Sequence, residues 1–151
     1  MYVLDTNVLS ELRPGKPQAS TAVRAWAAGL PQSRFYLSAI TVWEQELGVL
    51  LLERRTPPQG SALRAWWDAT CKAFAGRILP LDMQAALLCA RLHTSDPKSV
   101  RDSIIAATAL AHGFAVVTRN VRDFAGIAKL ELINPWNPDA HPQDAGKHDA
   151  R

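Results

Sequence analysis

Apolar and polar residues follow two rhythms along this chain. Short apolar runs at residues 2–4, 34–38, 78–81, 114–118 and 130–133 predict strands. Longer stretches carry apolar residues three and four apart, the spacing of one helix face. They predict helices over residues 6–13, 20–29, 39–55, 61–75, 82–93 and 99–112, and a turn or short helix over 120–124. Pro14-Gly15 stops the first helix, and Gly113 closes the last. Asp82 is placed to cap the fifth. Thr56-Pro57-Pro58-Gln59-Gly60 reads as a break between the third and fourth.

Two helices carry finer expectations. In the third, Ile40, Trp43, Leu47, Leu50 and Leu51 form an apolar row that defines the inward side. Glu44 shares that side, whereas Glu46 and Glu53 fall on the other, toward solvent. In the fourth, Leu63, Trp66, Thr70 and Phe74 form the core stripe. Trp67 lies off it and is the candidate for an interface between chains.

Strands alternating with helices indicate an α/β domain with a parallel sheet. Residues 1–137 form that domain, and residues 138–151, rich in Pro, His, Asp and Gly, are expected to be a disordered tail. In such a sheet the functional crevice lies outside the carboxyl ends of the strands. Asp5 directly follows the first predicted strand, and Arg119-Asn120 directly follows the one ending at Thr118.

Composition narrows the class. The chain has 151 residues, 48% hydrophobic and 21% charged, which suits a single globular domain. Cys71 and Cys89 form no C-x-x-C pair, so reduced core thiols are expected. The N-terminus lacks a signal-peptide pattern, and no apolar run approaches the ~18 residues of a membrane span. The expectation is a soluble, cytoplasmic protein with no membrane partner. The net charge of +3 is weak evidence for nucleic acid. If several acids gather in one cleft, the remaining surface is more basic than that total.

Each acid has an ordinary reading beside a functional one. Glu44 has no Lys or Arg three or four residues away, so burial without a partner would be costly unless a cation is present. At the edge of its stripe it would simply reach water. Asp102 can complete a Ser99-x-x-Asp102 capping box or favour the helix dipole. Asp5 can cap the helix that starts at Thr6, and Asp123 can be a turn residue. The set is more informative than its members, because the coarse fold brings at least three acids to one end of the sheet. Carboxylates so gathered repel one another unless a cation is present, and all-oxygen ligands favour Mg²⁺ or Mn²⁺. Other chemistries lack their motifs. His93, His112, His141 and His148 have no metal-ligand spacing, and neither a P-loop nor a G-x-S-x-G elbow occurs.

Four segments in order then carry a resemblance. They are Val3-Leu4-Asp5-Thr6-Asn7-Val8-Leu9, the run from Ser38 to Glu44 with Gly48, Arg101-Asp102-Ser103-Ile104-Ile105-Ala106-Ala107-Thr108-Ala109, and Thr118-Arg119-Asn120-Val121-Arg122-Asp123-Phe124. With the ending Asn134-Pro135-Trp136, the chain resembles the PIN-domain ribonucleases, and within them the VapC/FitB-type toxins of toxin–antitoxin pairs. The resemblance implies a PIN-like three-layer fold, a twisted parallel sheet flanked by helices, and an endoribonuclease that uses Mg²⁺ or Mn²⁺. Asp5, Glu44 and Asp102 match the metal-holding acids, and the fourth catalytic position falls on Asn120 or Asp123. Asn7 and Thr118 match supporting residues. Arg119 and Arg122, with Arg54 and Arg55, are candidates to guide an RNA backbone. The implied partners are an RNA substrate, a cognate antitoxin protein and a second copy of the chain. Two other functions compete: a catalytically inactive PIN-like binding module, which intact acids argue against, and a structure-specific DNA nuclease, which would need extra duplex-binding elements.

Overall fold

A computed structural model describes residues 1–95 and 99–137. The expected tail over residues 138–151 lies outside the described residues. The elements alternate as the sequence pattern predicts. They are β1 (Tyr2–Leu4), α1 (Thr6–Glu11), α2 (Thr21–Ala28), β2 (Phe35–Ser38), α3 (Ala39–Arg55), α4 (Pro57–Ala73), β3 (Ile78–Leu79), α5 (Met83–Ser95), α6 (Val100–His112), β4 (Ala115–Val117) and β5 (Leu132–Ile133), with a 3₁₀ turn at Val121–Phe124.

The five strands form one parallel sheet in the order β3-β2-β1-β4-β5. Side chains alternate across it, and that alternation divides the core. Leu4 and Val117 point to one face, where they pack with Val8, Leu9, Val23, Val49 and Trp67 from α1 to α4. Val3 and Val116 point to the other, against Ile105, Ala106 and Ala109 of α6 and Phe124 of the 3₁₀ turn. The result is the expected three-layer α/β arrangement. From β1 the chain builds outward to β2 and β3, then crosses back to β4 and β5. The reversal falls between β1 and β4, so the two strands' carboxyl ends open on the crevice that α/β sheets use for ligands.

Helix boundaries show where local signals were incomplete. The break expected over 56–60 is confined to Thr56, and α4 begins at once with prolines in its first turn. Proline is tolerated there because a first-turn N–H has no intrahelical acceptor to lose. Gly60 is no breaker. A Cβ at this residue would lie 2.5 Å from Glu53 Cα, so glycine lets α4 pass close over the end of α3.

The inward side expected for α3 is corrected. Trp43, Leu47, Leu50 and Leu51 are exposed, and Thr41 and Val49 are the buried residues of that helix. Glu46 and Glu53, expected to face open water, instead meet α4. The Arg64 guanidinium donates to Glu46 Oε1 and Oε2 at 2.9 and 2.8 Å and to Glu53 Oε1 at 3.0 Å. Helical periodicity identifies an apolar side but not which neighbour covers it, and here the partner of α3 is a polar seam on α4. Trp67, expected to be an interface residue, is also corrected. It is 1% exposed and donates from Nε1 to Glu46 Oε2 at 2.9 Å.

Candidate active site

Asp5 follows the last residue of β1, and its backbone N–H donates to Val117 O on β4 at 2.9 Å. The carboxylate caps α1 by accepting from Thr6 N at 2.7 Å, as the capping reading expected. That bond occupies Oδ1. Oδ2 accepts from Thr118 Oγ1 at 2.7 Å and from Asn7 Nδ2 at 3.0 Å. Thr118 in turn accepts from Asn120 N at 3.0 Å, and Asn7 Oδ1 accepts from Arg119 N at 3.2 Å. Thr118 and Asn7 thus tie the ends of β1 and β4 to one carboxylate.

Capping does not exhaust the role of Asp5. Its residue is 7% exposed, and burial raises its pKa above the ordinary value more than the Thr118, Thr6 and Asn7 hydrogen bonds lower it. The negative field of Asp123 adds to the rise. A cap stabilised by its helix alone would have no reason to sit among other acids.

Glu44 reaches the same place from the edge of α3. Its side chain accepts from Thr6 Oγ1 at 3.4 Å and is 19% exposed. Burial raises its pKa first, Arg101 opposes that rise, and Asp5 adds to it. The sequence argument that Glu44 shares an inward side with Leu47 and Leu51 fails, since those leucines are exposed. It is half-buried because α1 and α6 close over it. Its cationic partner, sought within α3, comes from α6: Arg101 Nη1 lies 3.6 Å from Glu44 Oε2.

Asp102 stands in the first turn of α6, where its charge suits the helix dipole. Ser99 is the N-cap residue, but its side chain makes no capping hydrogen bond, so the expected capping box is not formed.

These residues share one cavity of about 440 Å³, lined by Asp5, Thr6, Asn7, Ser10, Glu44, Gln45, Ser99, Arg101, Asp102 and Asn120. Asp5, Glu44 and Asp102 are therefore brought together, with Asn120 on the wall. Asp123 does not line the cavity and reaches it only through its field on Asp5. Arg119 lies outside the wall, its guanidinium 5.6 Å from the Trp136 ring. Arg122, Arg54 and Arg55 are exposed. Sequence reasoning gave no role to Ser10, Gln45 and Arg101. For Arg101 a signal existed, since a cation in a helix's first turn opposes the dipole and needs another reason to be there.

The donor set is entirely oxygen, two of its acids are held above their ordinary pKa, and their fields add. That chemistry fits a hard divalent cation. Among the described residues, no group of three or more His, Cys, Asp or Glu is gathered tightly enough to hold an ion as it stands. The acids ring the cavity rather than close upon a point.

The comparisons agree with this geometry. The family model described as PIN domain matches residues 2–130. The VapC ribonuclease Y4jK of Sinorhizobium fredii is 41% identical over 146 residues, spanning 91% of this chain and 99% of that protein. Toxin FitB of Neisseria gonorrhoeae is 38% identical over 142 residues, with 91% and 99% covered. Among solved structures, a chain of FitAB bound to an IR36 DNA fragment aligns with a TM-score of 0.82 at 38% identity, covering 93% of this chain and 99% of that one. A parallel five-stranded sheet, acids at its switch point and relatives matched over nearly their whole length place this chain in the PIN-domain family, in the branch that holds the VapC and FitB toxins.

Proposed function

We propose that this protein is an endoribonuclease that hydrolyses RNA phosphodiester bonds with Mg²⁺ or Mn²⁺, and that it is the toxin of a toxin–antitoxin pair. The observation that carries the reading is the buried Asp5 carboxylate, held by Thr118 and Asn7 at the β1–β4 reversal in one cavity with Glu44 and Asp102. The relatives' names, VapC ribonuclease and Toxin FitB, support the substrate class and the toxin role.

Asp5, Glu44 and Asp102 are the residues to hold the cation. When bound, the cation supplies an activated water and spreads charge developing on the phosphate. Thr118 and Asn7 fix the direction of the Asp5 lone pairs. Asn120, at the wall, is better placed than Asp123 to meet the substrate or its water. Arg119, laid on Trp136 beside the cleft, and Arg122 offer positive charge to the RNA backbone.

Two partners go with this reading. A cognate antitoxin protein restrains the enzyme, as the FitAB and FitAcB complexes among the matched structures suggest. A second copy of the chain covers the exposed Leu47, Leu50 and Leu51 on α3, which none of the described elements buries. Among the described residues no helix is long and apolar enough to cross a membrane, and the place of action is the cytoplasm, where RNA is met.

The test is cleavage of single-stranded RNA and of branched DNA by wild type and Asp5→Asn, each with and without Mg²⁺ or Mn²⁺. Metal-dependent RNA cleavage lost in Asp5→Asn supports the proposal. RNA left intact under all conditions by folded wild type overturns it, and preferential cutting of branched DNA moves it to the rival nuclease reading.

A further inference from the structure

Arg101 is a cation set among the acids of the cleft, and its surroundings do not make it a structural residue. It lies in the first turn of α6, where positive charge opposes the helix dipole. Its side chain is 54% exposed, so little apolar contact holds it. Its ion pair with Glu44 is a single 3.6 Å approach, too long for a hydrogen bond and far from the bidentate geometry Arg adopts when pairing is its purpose. The guanidinium lies instead over the Trp43 ring, 5.3 Å from its centroid. Trp43 of α3 is itself about half exposed. An aromatic face holds such a group in place while leaving the N–H donors at its edge free to meet an anion.

We propose that Arg101 is a substrate-contacting residue that alternates between two partners. While the acids lack a cation, Arg101 neutralises Glu44. When Asp5, Glu44 and Asp102 hold a divalent cation, Arg101 leaves Glu44 and, still resting on Trp43, donates to the phosphate oxygens of the RNA at the cleft. The inference rests on the ribonuclease reading above.

Charge balance is the reason for the alternation. Arg101 Nη1 lies 3.6 Å from a Glu44 side chain that is only 19% exposed, so it supplies part of the compensation that a bound cation would supply in full. Two cations cannot both profit from the same carboxylate. Once Glu44 is satisfied, the guanidinium lines an open cavity with unused donors, and a phosphate is the anion whose geometry those donors match. Trp43 is then a positioning residue, acting through Arg101.

The two states predict effects of opposite sign. Mn²⁺ binding to the free protein, read by calorimetry without RNA, should tighten in Arg101→Ala, because a competing cation is gone. Cleavage of a fluorescent oligoribonucleotide at saturating Mn²⁺ should lose about 10- to 100-fold in kcat/KM, the range of a charge-assisted hydrogen bond. Arg101→Lys should restore the wild-type Mn²⁺ affinity but not the full rate. Trp43→Ala should lower kcat/KM with the thermal unfolding profile unchanged, and Trp43→Phe should recover most of it. Weaker or unchanged Mn²⁺ binding in Arg101→Ala, or an unchanged kcat/KM, overturns the proposal. If folded wild type cuts no RNA, the ribonuclease reading itself fails, while the Mn²⁺ titration still reads the Arg101–Glu44 competition.

Discussion

Thr118 Oγ1 donates to Asp5 Oδ2 at 2.7 Å, joining two residues 113 positions apart in the chain. The same hydroxyl accepts from Asn120 N at 3.0 Å, so one buried threonine links the ends of β1 and β4 to the loop that follows. Thr118→Val preserves the shape and removes both bonds. It should destabilise the fold by about 1–3 kcal/mol, since it leaves a buried carboxylate oxygen and an N–H less well satisfied. It should also lower activity by about 10- to 100-fold, the usual effect of removing an outer partner of a metal-holding group. Urea unfolding checks the first and RNA cleavage the second. Unchanged activity would mean that Thr118 serves the sheet and not the site.

The raised pKa of Asp5 has a definite sign for stability. Burial favours the protonated form in the folded chain, so the contribution to stability is fully present below the ordinary carboxylate pKa. It is lost as pH rises through the folded value. Asn mimics the protonated acid. Without metal, Asp5→Asn should therefore match wild type in strongly acid solution and melt at a higher temperature than wild type near neutral pH. Added Mg²⁺ should raise the wild type and leave the variant unmoved. If wild type instead gained on the variant as pH rose, the hydrogen bonds to Asp5 would outweigh its burial.

α3 and α4 separate core from interface by direct test. Trp67→Ala removes a wholly buried side chain and should destabilise the protein by about 3–5 kcal/mol, read by urea unfolding. Leu50→Glu with Leu51→Glu alters only exposed residues. It should leave the unfolding midpoint of the isolated subunit nearly unchanged and convert a dimer to a monomer in sedimentation. A wild type that sediments as a monomer at micromolar concentration would remove the second copy from the proposal.

The contrast between these two helices explains what could be read from sequence. The strands were legible because each is a short apolar run with turn residues beside it, and β1 and β4 bury both faces. Their parallel arrangement followed from α/β alternation, and with it the placing of Asp5 and Thr118 at carboxyl ends of strands, but the order of the strands in the sheet did not. The interior side of α3 was not legible. Leu47, Leu50 and Leu51 lie where none of the described elements covers them, whereas Glu46 and Glu53 meet Arg64 of α4. Periodicity marks a side as apolar and is silent about whether a helix or another molecule covers it. Arg101 was missed for a related reason. Partners were sought three and four residues from Glu44, and the ion pair crosses from α6.

Growth arrest is the outcome expected when this chain is expressed alone. Asp5 and Glu44 are held above their ordinary pKa in a cavity that opens to solvent at the sheet's switch point, and they share it with Asp102. A phosphodiester can therefore reach the acids without any part of the described chain moving aside. The chain carries +3 overall although several of its acids are spent in this one cleft, so the rest of the surface is more basic than that total, which favours RNA. Nothing among the described residues covers the cavity, and the proposal assigns its restraint to a separate antitoxin protein. An antitoxin that delivers a basic side chain to Asp5 and Glu44 would satisfy the same charge deficit that Arg101 meets only in part. Wild type should accordingly arrest a bacterial culture within a few generations of induction, with loss of intact RNA on gels. Asp5→Ala, expressed to the same soluble level, should permit normal growth, and co-expression of a cognate antitoxin should rescue the wild type. Equal growth of wild type and Asp5→Ala, with both proteins folded and the wild type active on RNA in the test tube, would separate the nuclease from the toxin and leave only the first.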